Sequence, residues 1–466
     1  MKKIFIIPVL FLLMTFQSCD SELDIAPENV LIEDKVFEEA GSAELAMAGL
    51  YHKLIEANGS NWGLAYSIGD ITTDIMDLPA SNSNMIYVTG NIPLDNELSK
   101  QAWVNFYSVI NVANVFIARV PNIAKYDEST KEKHIGEAKF IRAYSYLRLL
   151  QLFGNGALTG NMDGMCVPLQ LDPYDGLNID NYIPRNTNGK VYAQIISDLN
   201  DAVELLPIEH ESYQFSVARA TKDAAYALLA RIYLYKKEYS KVISMTDKVI
   251  DAGNHELTDL GLVYREVGDS QFGAFTKEHI WSLELFGNGG NWQFGSNELM
   301  SYENLSINTE FMKEYSDGDS RKDYLIYKVE GKEFYRTKKY SEPDKHDNVT
   351  ILRYSEVLLN KAEALAISGV NKKSVDLIND VRERAGLSGE DLYMIEDFTS
   401  KEQLLKAIWQ ERKLEFACEG MERYDLIRTN RSLLDPNIPS NRLVLPIPQS
   451  EVIITEGVLK QNVGYL

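Results

Sequence analysis

Cysteine is scarce in this chain, with three in 466 residues, at positions 19, 166 and 418. That excludes a disulfide-stapled scaffold. Cys166 and Cys418 have no spacing pattern that argues for pairing, so two buried free thiols are expected. Histidine is scarce too: the six fall at 52, 134, 210, 255, 279 and 346, with no pair at helical or zinc-ligand spacing. No metal site and no cofactor are expected from them. Positive charge is in deficit, 47 Lys and Arg against 68 Asp and Glu, for a net −21 with no basic stripe. Nucleic acid and anionic membrane surfaces are poor partners for such a chain. The apolar run at residues 4–16 has 13 residues, short of the roughly 20 that a membrane-spanning helix needs. What the chain has in quantity is aromatic side chains, 26 Tyr, 17 Phe and 5 Trp, more rings than a core alone requires.

The short apolar run gives the first cysteine its meaning. Lys2 and Lys3 precede "IFIIPVLFLLMTF", and Ser18 stands directly before Cys19. A basic start, a short apolar stretch and a small residue before the cut read as an export signal. The box resembles that of bacterial lipoproteins, in which the cysteine becomes the lipidated first residue, although Phe16 and Gln17 depart from its common pattern. An ordinary secreted protein cut elsewhere is the alternative. Residues 1–18 are read as signal peptide and residues 19–36 as a lipidated tether, which anchors without spanning. Losing the leader removes two lysines and takes the net charge from −21 to −23. Asp20, Glu22 and Asp24 resemble the acidic tag of lipoproteins sent to the outer face of a Gram-negative outer membrane.

Beyond the tether, apolar positions recur at helical spacing over 37–56, 101–119, 133–153 and 191–207. Residues 221–253 read as two antiparallel helices joined near Lys236–Glu238. A second stretch, 356–386, repeats that pattern at an offset of 132 residues: Ala230 matches Ala362, Lys237 matches Gly369, and Val249 matches Val381. Small residues at a close helix crossing, followed by a turn about seven positions on, are the mechanics of tetratricopeptide repeats. The fold expected is all-α dominated, a tetratricopeptide-like scaffold with helix pairs at about 101–153, 191–253 and 351–386. A generic helical bundle is the alternative. Two stretches, about 60–100 and 254–350, break the pattern with Gly, Asn and aromatic residues and short alternating runs, "EHIWSLEL" and "GKEFYRTKKY". They read as loop and short-strand inserts in one domain spanning 37–466.

Several motifs in order carry a family resemblance. "EAKFIRAYSYLRLLQLFG", "VPL", "YAQIISDLNDAVELLP" and "ATKDAAYALLARIYLY" are followed by "LRYSEVLLNKAEAL", "INDVRERAGL", "IWQERKLEFACEGMERYDLIR", "LVLPIPQSEV" and the ending "QNVGYL". Together they resemble the RagB/SusD family of surface lipoproteins. The stretch with Glu411, Arg412, Glu415, Gly420, Arg423, Tyr424, Asp425 and Arg428 is the most specific part. The resemblance implies a cell-surface, lipid-anchored glycan-binding protein. It would close over a TonB-dependent outer-membrane transporter of the SusC type and hand it oligosaccharide, with the ligand site on the irregular inserts.

Glu411 and Glu415, at i and i+4, share a helix face as a glycosidase pair might in principle. The arginines near them in sequence would depress rather than raise a carboxylate pKa, so structural ion pairing is expected and no catalysis. "YSDGDSRKD" (315–323) lacks the terminal Glu of a calcium loop and reads as a turn framed by Asp319 and Arg321. "GNGG" (287–290) has no Lys-Ser/Thr behind it and is no phosphate cradle. A sugar needs flat rings for its C–H faces and planar amides or carboxylates for its hydroxyls. Asn291, Trp292 and Gln293 supply both in three residues, with Tyr302, Tyr87, Asp74 and Trp62 as further glycan-binding candidates. Each has a plainer reading: a core anchor for Trp292, a plug for the lone rings, a cap or turn for Asp74. Peptide capture on the same scaffold stays open as an alternative, as more remotely do a surface glycosidase and a structural adaptor.

Overall fold

A computed structural model describes residues 33–59, 64–174, 182–264, 275–283, 306–328, 335–339 and 348–466. Its helices are α1 (Glu33–Glu38), α2 (Ala40–Asn58), α3 (Leu64–Ile71), α4 (Met85–Val88), α5 (Glu97–Ile123), α6 (Glu128–Phe153), α7 (Asn188–Leu205), α8 (Tyr213–Ala218), α9 (Lys222–Tyr235), α10 (Tyr239–Ala252), α11 (Leu260–Val263), α12 (Arg321–Leu325), α13 (Tyr354–Ala366), α14 (Lys372–Arg384), α15 (Lys401–Glu415), α16 (Glu422–Arg428) and α17 (Gln449–Ile454). The strands are β1 (Met76–Asp77), β2 (His279–Leu283), β3 (Ser306–Ile307), β4 (Ile326–Lys328), β5 (Tyr335–Thr337) and β6 (Val349–Arg353). None of the described helices is long and apolar enough to cross a membrane.

The long helices stack side by side: α5 on α6, α6 on α7, α7 on α9, α9 on α10, α10 on α13, and α13 on α14 and α15. This is the tetratricopeptide-like architecture that the spacing predicts. Ala230 and Ala362, at the matched crossings, are fully buried, as are Val249 and Val381. The matched turns are equivalent as well, since Lys237 (φ 60°) and Gly369 (φ 143°) both take positive φ. At these two turns the chain reverses within three and five residues, and at the first a lysine accepts a left-handed backbone to do it. Start signals are local and readable. Asn96, Asp127, Thr187, Thr221, Asn371 and Ser400 each accept an N–H of the first turn that follows.

Boundaries differ from the periodic reading where another principle wins. Residues 64–71 and 85–88, inside the stretch read as an irregular insert, form α3 and α4. They are too short for periodicity to register. The third pair begins at Tyr354 rather than 351, because 349–353 is claimed by β6. The antiparallel pair β2–β6 binds the second insert to the helices. Trp281 of β2 is fully buried, edge-on to Phe140 (4.8 Å) and Tyr144 (5.0 Å) of α6. The remaining strands make a four-stranded sheet in the order β1-β3-β5-β4. Cys166 and Cys418 are buried free thiols.

The tightest approach in the fold is between Gly69 of α3 and Gly420, where a Cβ on Gly69 would stand 1.9 Å from the Gly420 carbonyl oxygen. Gly69→Ala should therefore cost about 3 kcal/mol or more and lower the melting temperature sharply. Gly49→Ala, in open space on α2, should instead stabilise by up to about 1 kcal/mol in the same thermal melts.

Candidate ligand face and its ion-pair frame

The motif that the sequence marks as most specific folds into a buried frame of charge. Arg321 is fully enclosed and donates to Asp319 (2.9 and 2.6 Å), Glu411 (2.7 Å) and Glu415 (3.3 Å). Arg353, from β6, donates to Glu278, to Glu415 (2.7 Å) and to Glu419 (2.8 and 3.0 Å). Arg382 and Arg384 of α14 reach Glu411 and Glu415, and Lys339 reaches Glu419. A second knot joins Arg412 and Arg428 on Asp425, with Arg428 also on Glu363. Burial by itself would raise Glu415, but Arg384, Arg353 and Arg321 overcome it and hold the carboxyl well below its usual range.

Such carboxylates are sealed and engaged by guanidinium groups. Glu411 and Glu415, both enclosed, have no access to a glycosidic bond that a catalytic pair would have to flank. The frame ties four distant places together: the 319–321 turn, β6, α14 and α15. It extends the expected pairing well beyond the last helix and its turn. Asp319 and Arg321 frame the 315–323 turn as expected, and among the described residues no cluster of His, Cys, Asp and Glu fit to hold a metal occurs.

Against this frame the two inserts meet. β1, from the first, pairs antiparallel with β3, from the second: Met76 opposite Ile307 and Asp77 opposite Ser306. Asn308 locks the junction, its side chain donating to Asp77 (2.8 Å) and its N–H to the Ile75 carbonyl (2.9 Å). Asp74 lies at the same edge, about half exposed, with Oδ2 accepting from Lys413 Nζ at 2.9 Å. Lys413 also donates to Glu314 (2.7 Å). Asp74 lies in the turn after α3, in keeping with its plainer reading, and is also the exposed end of an ion pair.

Tyr87 requires correction. Its ring is only 3% exposed and its hydroxyl is hydrogen-bonded to Asn96, which donates to it at 2.9 Å. A ring so enclosed offers no face to a sugar, so Tyr87 is a plug. Cys19, Trp62, Asn291, Trp292, Gln293 and Tyr302 lie outside the described residues. Sequence reasoning missed Lys413, Asn308 and Asp77, because their partners stand hundreds of residues away and carry no local signal. It also missed Asp70, whose buried carboxyl accepts the Gly420 N–H at 2.6 Å and is pushed up to about 7 by burial.

Glu422 of α16 lies beside this edge. Burial pushes it up to about 8, and Arg431, 3.6 Å away, offsets that only in part. Its folded value stands above its unfolded value of 4.5. Its contribution to stability is therefore complete below the unfolded value and is lost as pH rises through about 8. Glu422→Gln should melt several degrees above the parent at about pH 9, with the gap closing towards about pH 4. A pH series of thermal melts on the two proteins reads this directly, and a gap that widens on acidification would contradict it.

Comparison with known proteins follows the same outline. The family model described as "SusD family" matches residues 281–437, and the one described as "Starch-binding associating with outer membrane" matches residues 23–234. SusD-like protein P2 of Formosa agariphila is 27% identical, with the match covering 100% of both chains. A SusD-like protein of Bacteroides ovatus is 25% identical over 91% of this chain and 82% of its own. Among solved structures, a SusD superfamily protein from Bacteroides thetaiotaomicron superposes with a TM-score of 0.78 at 23% identity, covering 91% of this chain and 99% of that one. A putative sugar binding protein from Bacteroides vulgatus gives 0.74 at 24%, covering 92% and 99%. These likenesses in structure bear on the fold.

Proposed function

Because the chain belongs to the RagB/SusD family, we propose that it is a lipid-anchored protein of the Gram-negative outer membrane that captures oligosaccharide or polysaccharide at the cell surface. It delivers that cargo to a SusC-like TonB-dependent transporter and performs no catalysis itself. The observation that supports the reading most is the β1–β3 junction, which makes one edge out of two inserts more than 220 residues apart. Loops of a ligand site need a rigid mount, and this edge has one in the ion-pair frame beneath it.

The glycan contacts proposed are Trp292, Asn291 and Gln293, together with Tyr302, Trp62 and Asp74. A stacked ring contributes on the order of 1 kcal/mol beyond area burial, and each net hydrogen bond a similar amount. Several such contacts sum to micromolar-to-millimolar affinity, suited to a carrier that must release its cargo. The family model's description, starch-binding and associating with outer membrane, agrees with a glycan as cargo and with the anchor proposed at Cys19.

Binding tests the cargo. The soluble chain from Asp20 onward should retain one class of plant, host or microbial glycan and ignore a peptide pool. Trp292→Ala should weaken that binding about tenfold or more without lowering the melting temperature. Retention of peptides alone would make the cargo wrong and leave the scaffold. Fractionation tests the anchor: in a Gram-negative host Cys19→Ala should move the protein from the outer-membrane fraction to the soluble one.

A further inference from the structure

We infer that the helical scaffold carries a second ligand pocket, separate from the β1–β3 edge, that takes a neutral hydroxyl-rich ring such as one pyranose unit. A cavity of about 460 Å³ opens between the α7–α8 connection, α8, the start of α9 and the end of α10. That volume falls within the range of roughly 300–1,000 Å³ usual for small-molecule sites.

Its lining bears on the chemistry. Ile208, Tyr213 and Val217 are the larger apolar contributors, and most of the other lining residues are polar or charged, so the pocket offers both kinds of contact. Three carboxylates, Glu209, Glu211 and Asp223, share the lining with a single ammonium, Lys277, which disfavours an anion. A cation would need an unengaged carboxylate at the floor, and Asp223 is engaged. Asn254 donates to its Oδ2 at 2.8 Å, and His255 Nε2 stands 3.4 Å from the same oxygen. The side chains of Asp223 and His255 are both at least nine-tenths buried, so this floor is rigid and its carboxylate is engaged by its neighbours.

What is left is a set of donors and acceptors with one ring. His210 donates through Nε2 to the Ala220 carbonyl (2.9 Å), which leaves Nδ1 as an acceptor. Tyr213 is 37% exposed, and its hydroxyl is spent on the Thr276 carbonyl. Its free offering is therefore a fixed ring face. A ring face beside an amide, a carboxylate and an imidazole is what the C–H side and hydroxyl rim of a sugar require. This pocket rests on the capture reading only for the source of the sugar.

The test uses the full chain in detergent, carrying Trp292→Ala so that the loop site does not contribute. The probes are the methyl glycosides of glucose, galactose and mannose, with glucosamine as the cationic arm and inorganic phosphate as the anionic one, read by saturation-transfer NMR and titration. At least one neutral glycoside should bind, Tyr213→Phe should retain it, and Asn254→Ala and Tyr213→Ala should each weaken it about tenfold. Binding of glucosamine or phosphate alone, no binding at all, or an Asn254→Ala protein that binds like its parent would overturn the proposal. Should Tyr213→Ala unfold, Asn254→Ala carries the test. A failed pocket leaves capture by the unmodified chain standing, and a chain that ignores polysaccharide leaves the pocket standing.

Discussion

The structure depends on charge taken out of water. Glu415 alone meets Arg321, Arg353 and Arg384, and each of those arginines stands on a different element. Burying ions is expensive, and such pairs are often no better for stability than well-packed apolar residues. What they supply is direction: a guanidinium accepts only a few planar arrangements of carboxylates, so β6, α14, α15 and the 319–321 turn are held in one relation. Removing one partner would leave the others buried and uncompensated, at about 3–5 kcal/mol.

That constraint reaches the ligand face through one residue. Lys413 lies midway between Glu411 and Glu415 on α15, two residues from each and so on the other side of the helix, and it ends on Asp74 and Glu314. The edge where the inserts meet is thereby fastened to the helix that the charged frame fixes. Asp70 and Gly420 add a second fastening beside it, at a separation so small that glycine is obligatory at position 69.

The helix pairs were legible because their signals are local. Apolar spacing, capping residues and the small alanines at 230 and 362 all act within a few residues of where they are read. The charged cluster was legible in kind, since carboxylates set among arginines argue against acid catalysis, but not in extent. Arg321 and Arg353 lie 94 and 62 residues from Glu415, and nothing in their neighbourhoods announces the meeting. Tyr87 misled because a lone ring in a polar loop looks the same whether it faces solvent or fills a hole. Its partner, Asn96, is at the same time the N-cap of α5.

The buried charges have an outward effect. Among the described buried residues, Lys and Arg number fourteen and Asp and Glu thirteen, a formal +1. Against a net −21, the remaining residues therefore carry a formal −22, having given up many arginines to the frame. They are more one-sided than the composition suggests. Any polyanion nearing this protein climbs a repulsive field that salt would flatten, whereas an uncharged chain drifts in unopposed.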